Sequence, residues 1–273
     1  MREVVVLVDG VDCDPSAPAV APLDPGLLGQ GVYESIRTYD GVPFGLGEHL
    51  ERLADGAAAL AIPCPVEDLA REVPEAVQLR EATGETRIRL FLTAGGTRIV
   101  VADAIPDRRL DREEGLAAVV LPWTRDPQGP TAGVKASSTA ATRIGLRYAT
   151  ERRAATGIWL TPDGNVSEAL AANVFCMIGD AVVTPPLSDG ALAGVTRSKI
   201  LRYAADDGIR CEERSFGAAQ LAAAAEAFVS ATSEPVVPLV RLDDAPLGDG
   251  AAGAATRRLQ ELFERRARAA TAG

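Results

Sequence analysis

Two segments in the first half of the chain alternate apolar and polar residues and are separated by a pair of glycines. Residues 86–94 (TRIRLFLTA) and 97–102 (TRIVVA) have the two-residue period of half-buried strands, and Gly95-Gly96 between them is typical of a tight turn. Together they predict an antiparallel β-hairpin. The other strands and helices follow one another without a regular βαβ repeat, so the sequence favours an α+β architecture over a doubly wound sheet.

The remaining elements are predicted from periodicity and turn residues. In the first half, strands are predicted over 3–9, 32–39 and 117–121, and helices over 47–61 and 66–83, the first with Leu50, Leu53, Ala57 and Leu60 on one face. In the second half, helices are predicted over 139–156, 196–207, 217–224 and 254–269, and strands over 157–161, 172–178, 182–184, 209–214 and 226–230. The Pro- and Gly-rich stretch 123–133 predicts a connection between a smaller N-terminal α+β domain (1–122) and a larger C-terminal domain (134–273).

Charge and composition exclude several classes of protein. A formal net charge of −10 disfavours nucleic-acid binding, because phosphate backbones select basic surfaces. No segment reaches the roughly 18 apolar residues of a membrane span, and the apolar run at the N-terminus is too short for a secretory signal. His49 is the only histidine and the four cysteines lack metal-ligand spacing, so neither a metal site nor a Ser-His-Asp triad is predicted. We therefore expect a soluble, cytoplasmic protein with no nucleic-acid or membrane partner.

Lys135, in the segment GVKASS, is a candidate for chemistry because the chain has very few lysines. It follows the Gly-rich connection and precedes a predicted helix. A lysine amine that is desolvated there has a lowered pKa and can act as a nucleophile or a base. The alternative is a solvated lysine at the start of that helix.

Two further segments have the residue types of a binding site. Glu168 leaves the turn Pro162-Asp163-Gly164 and enters an apolar segment, where a carboxylate could pair with a buried cation. The segment 194–197 (GVTR) opens a helix, and free N–H groups at a helix N-terminus bind anions. A surface glutamate and an ordinary helix N-cap explain the same residues.

Five blocks, in order along nearly the whole chain, resemble the fold-type-IV pyridoxal-phosphate enzymes. That family includes branched-chain aminotransferases, D-amino-acid aminotransferases and 4-amino-4-deoxychorismate lyases. The blocks are GQGVYESIRTYDGVPF (29–44) with EHLERL (48–53), VSEALAANVF (166–175), TPPLSDGALAGVTR (184–197), FVSATSEPVVPL (228–239) and PLGDGAAGAATRRLQELF (246–263). The resemblance implies the two-domain fold of the D-amino-acid aminotransferases, with pyridoxal 5'-phosphate bound by the C-terminal domain, and a homodimer.

The resemblance also implies roles for individual residues. Lys135 would hold the cofactor as a Schiff base and move the proton, and Glu168 would keep the pyridine nitrogen protonated. The phosphate would be bound by Arg52, Val195, Thr196 and Thr232, and the ring would lie against Leu192. The alternatives are a surface pair of Arg52 with Glu48 and plain core packing of Leu192. His49 is expected to be structural.

Substrate binding is implied for Tyr33, Arg89, Ser233 and Glu234. Ala94 stands where D-amino-acid aminotransferases have a carboxylate-binding arginine, whereas Arg89 resembles an arginine of the branched-chain enzymes and the lyases. A salt-bridged strand residue is the alternative for Arg89. The reaction expected is transfer of an amino group between a branched-chain or other small L-amino acid and a 2-oxo acid. A lyase that releases pyruvate and 4-aminobenzoate, and a non-catalytic relative, are the alternatives.

Overall fold

The computed structural model describes residues 2–17, 19–107 and 109–271, which divide into two compact units. The first unit comprises Met1–Pro106, Val134–Thr139 and Ala267–Gly273, and the second comprises Asp107–Gly133 and Ala140–Arg266. Within the described residues, no helix is both long and apolar enough to cross a membrane.

The first unit is an antiparallel sheet with two helices on one face. Its elements are β1 (Val5–Val8), β2 (Val11–Cys13), β3 (Gly31–Tyr39), β4 (Val42–Pro43), α1 (Leu46–Ala59), α2 (Val66–Leu79), β5 (Thr86–Thr93) and β6 (Arg98–Ala104). The strands lie in the order β2-β1-β6-β5-β3-β4, and each pair is antiparallel. The predicted 86–102 hairpin is therefore present as β5 and β6.

Two tight turns of this unit follow from their sequences. Asp9-Gly10 joins β1 to β2 and Asp40-Gly41 joins β3 to β4, and all four residues have positive φ between 50° and 79°. An Asp-Gly pair is favoured in such turns, because aspartate tolerates the left-handed region and glycine has no Cβ to clash there.

The core of the first unit lies between the sheet and the two helices. Val32, Ile88 and Leu90 from the sheet pack against α1 and α2. Leu50 and Leu53 of α1 are buried, as predicted. Leu60 is not, since α1 ends at Ala59 and the Leu60 side chain is 36 % exposed.

The second unit contains a mixed sheet. Its elements are α3 (Arg109–Glu114), β7 (Leu116–Thr124), α4 (Ala140–Glu151), β8 (Thr156–Leu160), β9 (Val166–Ala169), β10 (Asn173–Ile178), β11 (Ala181–Thr184), α5 (Val195–Asp206), β12 (Cys211–Glu213), α6 (Ala218–Ala222), β13 (Ala227–Ser230), β14 (Val237–Leu242), β15 (Ala245–Pro246) and α7 (Ala254–Thr271). The order is β12-β11-β10-β13-β14-β7-β8-β9, with β15 paired to β14, and the β11–β12, β14–β7 and β7–β8 pairs are parallel. The mixture of antiparallel and parallel pairs with helices confirms the α+β class.

Some elements of this unit differ from the sequence-based expectation. The elements expected from the sequence do not include β9, β14 or α3. The sequence-based domain boundary also places β7 in the N-terminal domain, ahead of the interdomain connection. In the structure β7 pairs with β8 and β14, so it is a central strand of the second unit. The short β9 directly follows a turn, and β14 contains Pro238, which is atypical of a sheet interior.

Candidate active site

Lys135 lies in a short extended segment that pairs with the beginning of β3. Tyr33 N–H donates to the Lys135 carbonyl (3.0 Å), and Ser137 N–H donates to the Gly31 carbonyl (2.9 Å). The Ser137 hydroxyl also donates to the Gly29 carbonyl (3.1 Å). A Cβ on Gly31 would lie 2.6 Å from the Leu92 carbonyl oxygen, so glycine is needed where this segment and β5 both approach β3. The backbone on both sides of Lys135 is thus fixed to the sheet.

The Lys135 amine lies against an aromatic ring. Its Nζ is 4.4 Å from the centroid of the Tyr33 ring, a distance at which the ring face attracts a cation. Tyr33 in turn stacks on Phe91, with centroids 6.1 Å apart. The lysine is half-buried and lies five residues before α4 begins, so it does not stand at the start of that helix.

A buried ion-pair cluster links β3 to α1. Glu34 is fully buried, and its carboxylate accepts hydrogen bonds from Arg52 Nε and Nη2 (both 2.7 Å) and from His49 Nδ1 (2.8 Å). Glu34 occupies an inward position of β3, and His49 and Arg52 are three residues apart on the facing side of α1. A buried carboxylate is tolerated because the cation and the donors compensate its lost hydration.

Protonation in this cluster is set by burial and by hydrogen bonds. Burial raises the pKa of Glu34, but the hydrogen bonds from His49 and Arg52 outweigh it and lower that pKa to about 2. Burial lowers the pKa of His49, although the Glu34 carboxylate acts in the opposite direction. At neutral pH Glu34 is therefore ionised and His49 is neutral, with its proton on Nδ1. The structural role expected for His49 is consistent with this position.

The cluster predicts a loss of stability in acid. The folded-state pKa of Glu34 lies below its unfolded value, so the stability that Glu34 contributes is present above about pH 4.3 and is lost as the pH falls toward 2. The folded-state pKa of His49 is also depressed, so below about pH 6.5 the unfolded chain binds a proton that the folded chain does not. We expect the urea midpoint to fall as the pH decreases from about 6.5. His49→Asn keeps an amide donor and should flatten this part of the profile; an unchanged slope in the variant would contradict the assignment.

Glu168 in the second unit is a buried, charge-paired carboxylate. Its Oε2 accepts from Leu192 N–H (2.8 Å), and its Oε1 pairs with the Arg125 guanidinium. Arg125 follows β7 and is held by its own N–H, which donates to the Leu160 carbonyl (2.8 Å). The alternative of a surface glutamate is therefore wrong. A buried carboxylate of this kind is a suitable acceptor for an N–H donor.

The N-terminus of α5 has donors and no side-chain cap. The cap position is Gly194, so an ordinary side-chain N-cap is excluded, and the first turn contains no acidic residue. A Cβ on Gly194 would lie 2.0 Å from Asn173 Oδ1, so glycine is required at this position. The side-chain amide of Asn173 donates to the Leu192 carbonyl (2.9 Å). Across the β10–β13 pair from Asn173, the Ser230 hydroxyl is buried without a hydrogen-bond partner among the described residues. The first turn of α5 therefore presents N–H groups and the positive end of the helix dipole to an anion.

The other predicted site residues are distributed over both units. In the second unit, Val195 and Thr196 are buried in the first turn of α5 and Leu192 is half-buried just before it. Thr232, Ser233 and Glu234 form the turn between β13 and β14, closed by Ala231 N–H to the Glu234 carbonyl (3.2 Å). In the first unit, Arg89 lies on β5 and forms a salt bridge, with its Nη2 2.9 Å from Asp103 Oδ2. The alternative of a salt-bridged strand residue therefore describes its position.

Sequence reasoning missed two residues of these clusters. Glu34 had a usable signal, because a charged residue at an inward position between Val32 and Ile36 is unusual in a buried strand. Arg125 had none, since nothing in its local sequence indicates a contact with a glutamate 43 residues away.

Comparisons with known proteins agree with these features. The sequence model of the family described as amino-transferase class IV matches residues 31–242. A D-alanine aminotransferase of Staphylococcus haemolyticus is 30 % identical over 276 residues, which cover 95 % of this chain and 96 % of the relative. A fold IV transaminase from Curtobacterium pusillum is 28 % identical, with a TM-score of 0.87 over 96 % of this chain and 98 % of that one. A branched-chain aminotransferase of Thermoproteus uzoniensis, solved with norvaline, is 29 % identical, with a TM-score of 0.87 over 97 % and 95 %.

Proposed function

Since the chain belongs to the amino-transferase class IV family and is a pyridoxal-phosphate-dependent aminotransferase, we propose that it moves the amino group of a branched-chain or other small L-amino acid to a 2-oxo acid. The assignment of roles rests on the position of the Lys135 amine. It lies against the Tyr33 ring, and its segment is hydrogen-bonded to β3. Lys135 is then the residue that binds the cofactor as a Schiff base.

The residues present fit pyridoxal 5'-phosphate. Glu168 is a buried carboxylate paired with Arg125, an acceptor suited to a protonated pyridine nitrogen. The first turn of α5, which contains Val195 and Thr196 and has no side-chain cap, suits a phosphate. The Ser230 hydroxyl, two residues before Thr232, has no hydrogen-bond partner among the described residues and is a further donor. The bound cofactor supplies an electron sink for the electrons released when the substrate loses its Cα proton.

The chain's own residues have distinct tasks in this proposal. The Lys135 amine would take the proton from the substrate Cα and return a proton to the product. Arg52 binds the phosphate, and Glu34 fixes the orientation of its guanidinium through Nε and Nη2. Leu192 would lie against the cofactor ring.

The substrate is bound by a second set of residues. Tyr33 and Arg89 lie on one face of the first unit's sheet, and the backbone at Ser233 and Glu234 offers groups for the α-carboxylate. The relatives reported above are named as aminotransferases and include both branched-chain and D-alanine enzymes. Transamination is therefore preferred over the lyase reaction.

We further propose that the enzyme acts in the cytoplasm and that it is a homodimer, the latter because the fold-type-IV family that it resembles is dimeric. Size-exclusion chromatography with light scattering tests this, and a fully active monomer would contradict it.

The reaction is tested by the visible spectrum of the cofactor-loaded protein. L-Leucine, L-glutamate or D-alanine is added without a 2-oxo acid. We expect a yellow protein that bleaches to the pyridoxamine form with an L-amino acid and regains its colour with 2-oxoglutarate. Bleaching by D-alanine alone would contradict the preference for L-substrates. A yellow band that no amino acid changes would favour the lyase, and a protein that takes up no cofactor would overturn the proposal.

A further inference from the structure

Two arginines and one aspartate form a cluster on the sheet face that carries Tyr33. Across β3 and β5, Tyr33 is opposite Phe91 and Ser35 is opposite Arg89, so Arg89 is a diagonal neighbour of Tyr33. Arg87 lies two residues before Arg89 and therefore on the same face. Asp103 of β6 is directly opposite Arg87. This face is half-exposed, in contrast to the opposite face that packs on α1 and α2.

Asp103 binds both arginines at once. Arg87 donates to it through two nitrogens, Nε to Oδ1 (2.9 Å) and Nη2 to Oδ2 (2.7 Å). Arg89 shares the second oxygen through Nη2 (2.9 Å). One carboxylate thus balances two guanidinium groups, and the cluster of Arg87, Arg89 and Asp103 keeps one net positive charge on the face that carries Tyr33.

Arg89 is only partly used by this arrangement. Its hydrogen bond to Asp103 occupies Nη2, and its buried Nε has no hydrogen-bond partner among the described residues. The side chain as a whole is 37 % exposed, so part of the guanidinium faces solvent although Nε itself is buried. A guanidinium with an unsatisfied N–H, diagonal to the Tyr33 ring in the sheet, is a donor group suited to a carboxylate oxygen.

We propose that Asp103 is a specificity-determining residue, which limits the preference of the enzyme for substrates with a carboxylate side chain. It does so by cancelling one of the two arginine charges on the sheet face that carries Tyr33. Uncharged side chains are then accepted at the same place without facing two unbalanced cations. The inference rests on the proposed function, in which Arg89 contacts the substrate.

Four proteins vary the charge of the cluster in steps. The cluster has one net positive charge in the wild type, two in Asp103→Asn, none in Arg87→Gln and one in the double variant. Arg37, which lies over the Tyr39 ring, and Lys135 are common to all four. Attraction of a substrate carboxylate increases with this charge, because the groups are partly shielded from water.

The experiment compares glutamate with glutamine, which have nearly the same size and differ in side-chain charge. Both enantiomers are tested with each cofactor-loaded protein. We expect the ratio of kcat/KM for glutamate to that for glutamine to rise about tenfold in Asp103→Asn and to fall by a similar factor in Arg87→Gln. The double variant should return to within about threefold of the wild type.

A measurement without turnover accompanies the kinetics. Glutarate and its monoamide, glutaramate, are titrated into the yellow form, and the ratio of their dissociation constants should follow the same order. Asp68→Asn is the matched control, since it removes a carboxylate from the exposed Arg71–Asp68 pair of α2 with the same change in charge. It should leave both ratios unchanged.

The outcomes separate this inference from the proposed function. A purely structural role of the cluster would lower activity toward both substrates alike and leave the ratios constant. Constant ratios in the four proteins, ratios that move against the charge, or no binding of either acid by any of them would overturn the role of Asp103. A wild-type protein that binds no cofactor or transfers no amino group would instead overturn the proposed function.

Discussion

Replacing Lys135 with alanine should reduce transamination by at least about a thousandfold, since it removes both the attachment point of the cofactor and the group that moves the substrate proton. Lys135 lies outside the helices, its side chain is half-buried, and its segment is held by backbone bonds that alanine preserves. We therefore expect the variant to fold normally. The loss is measured as kcat/KM for the best donor, with the thermal midpoint as the test of folding.

A second measurement locates the covalent bond directly. Borohydride reduction of the cofactor-loaded wild type fixes the cofactor to a lysine, and peptide mass spectrometry identifies which one. The chain has two lysines, Lys135 and Lys199, and the latter is buried in α5. Modification at Lys199, or full activity of Lys135→Ala, would overturn the proposed role of Lys135. Lys199→Arg is the control that should keep the cofactor on Lys135.

The parts of the fold that were predictable depend on local sequence. The Asp9-Gly10 and Asp40-Gly41 turns are encoded by residues that accept positive φ, and the 86–102 hairpin by its alternation and its glycines. Strand β14 was missed for the opposite reason. Its interior Pro238 argues against a strand, and its place is determined by pairing with β7, more than one hundred residues earlier.

The candidate site shows the same division between local and long-range information. Roles are assigned to Lys135 and Glu168 from their own local sequence and from the resemblance of the ordered blocks to a family, whereas their neighbours depend on tertiary contacts. Nothing in the sequence around Arg125 predicts its ion pair with Glu168, and the contact of Glu34 with Arg52 requires β3 to face α1. Asp103 was missed because a cross-strand pair can be identified only when the register of β5 and β6 is known.

Replacing Glu168 with glutamine should lower kcat by about a hundredfold or more while the protein still binds the cofactor on Lys135. Glutamine has the shape of glutamate and can accept the Leu192 N–H, but it has no charge with which to keep the pyridine nitrogen protonated. The electron sink is then weaker, so loss of the Cα proton is slower, whereas the lysine and the phosphate-binding residues are unchanged. Stopped-flow measurement of bleaching by the best donor isolates this step.

A matched variant separates this effect from the loss of an ion pair. Glu213→Gln removes a carboxylate from the Arg197–Glu213 pair of the same unit, as Glu168→Gln removes one from the pair with Arg125. If the role of Glu168 were only to balance Arg125, both variants would change the thermal midpoint and neither would slow bleaching. Slow bleaching in Glu168→Gln alone, at a normal yellow absorbance, is the result expected of a partner of the pyridine nitrogen. If Glu168→Gln kept more than about a tenth of the wild-type kcat, the loss of transition-state stabilisation would be below about 1.4 kcal/mol, and that role would be contradicted.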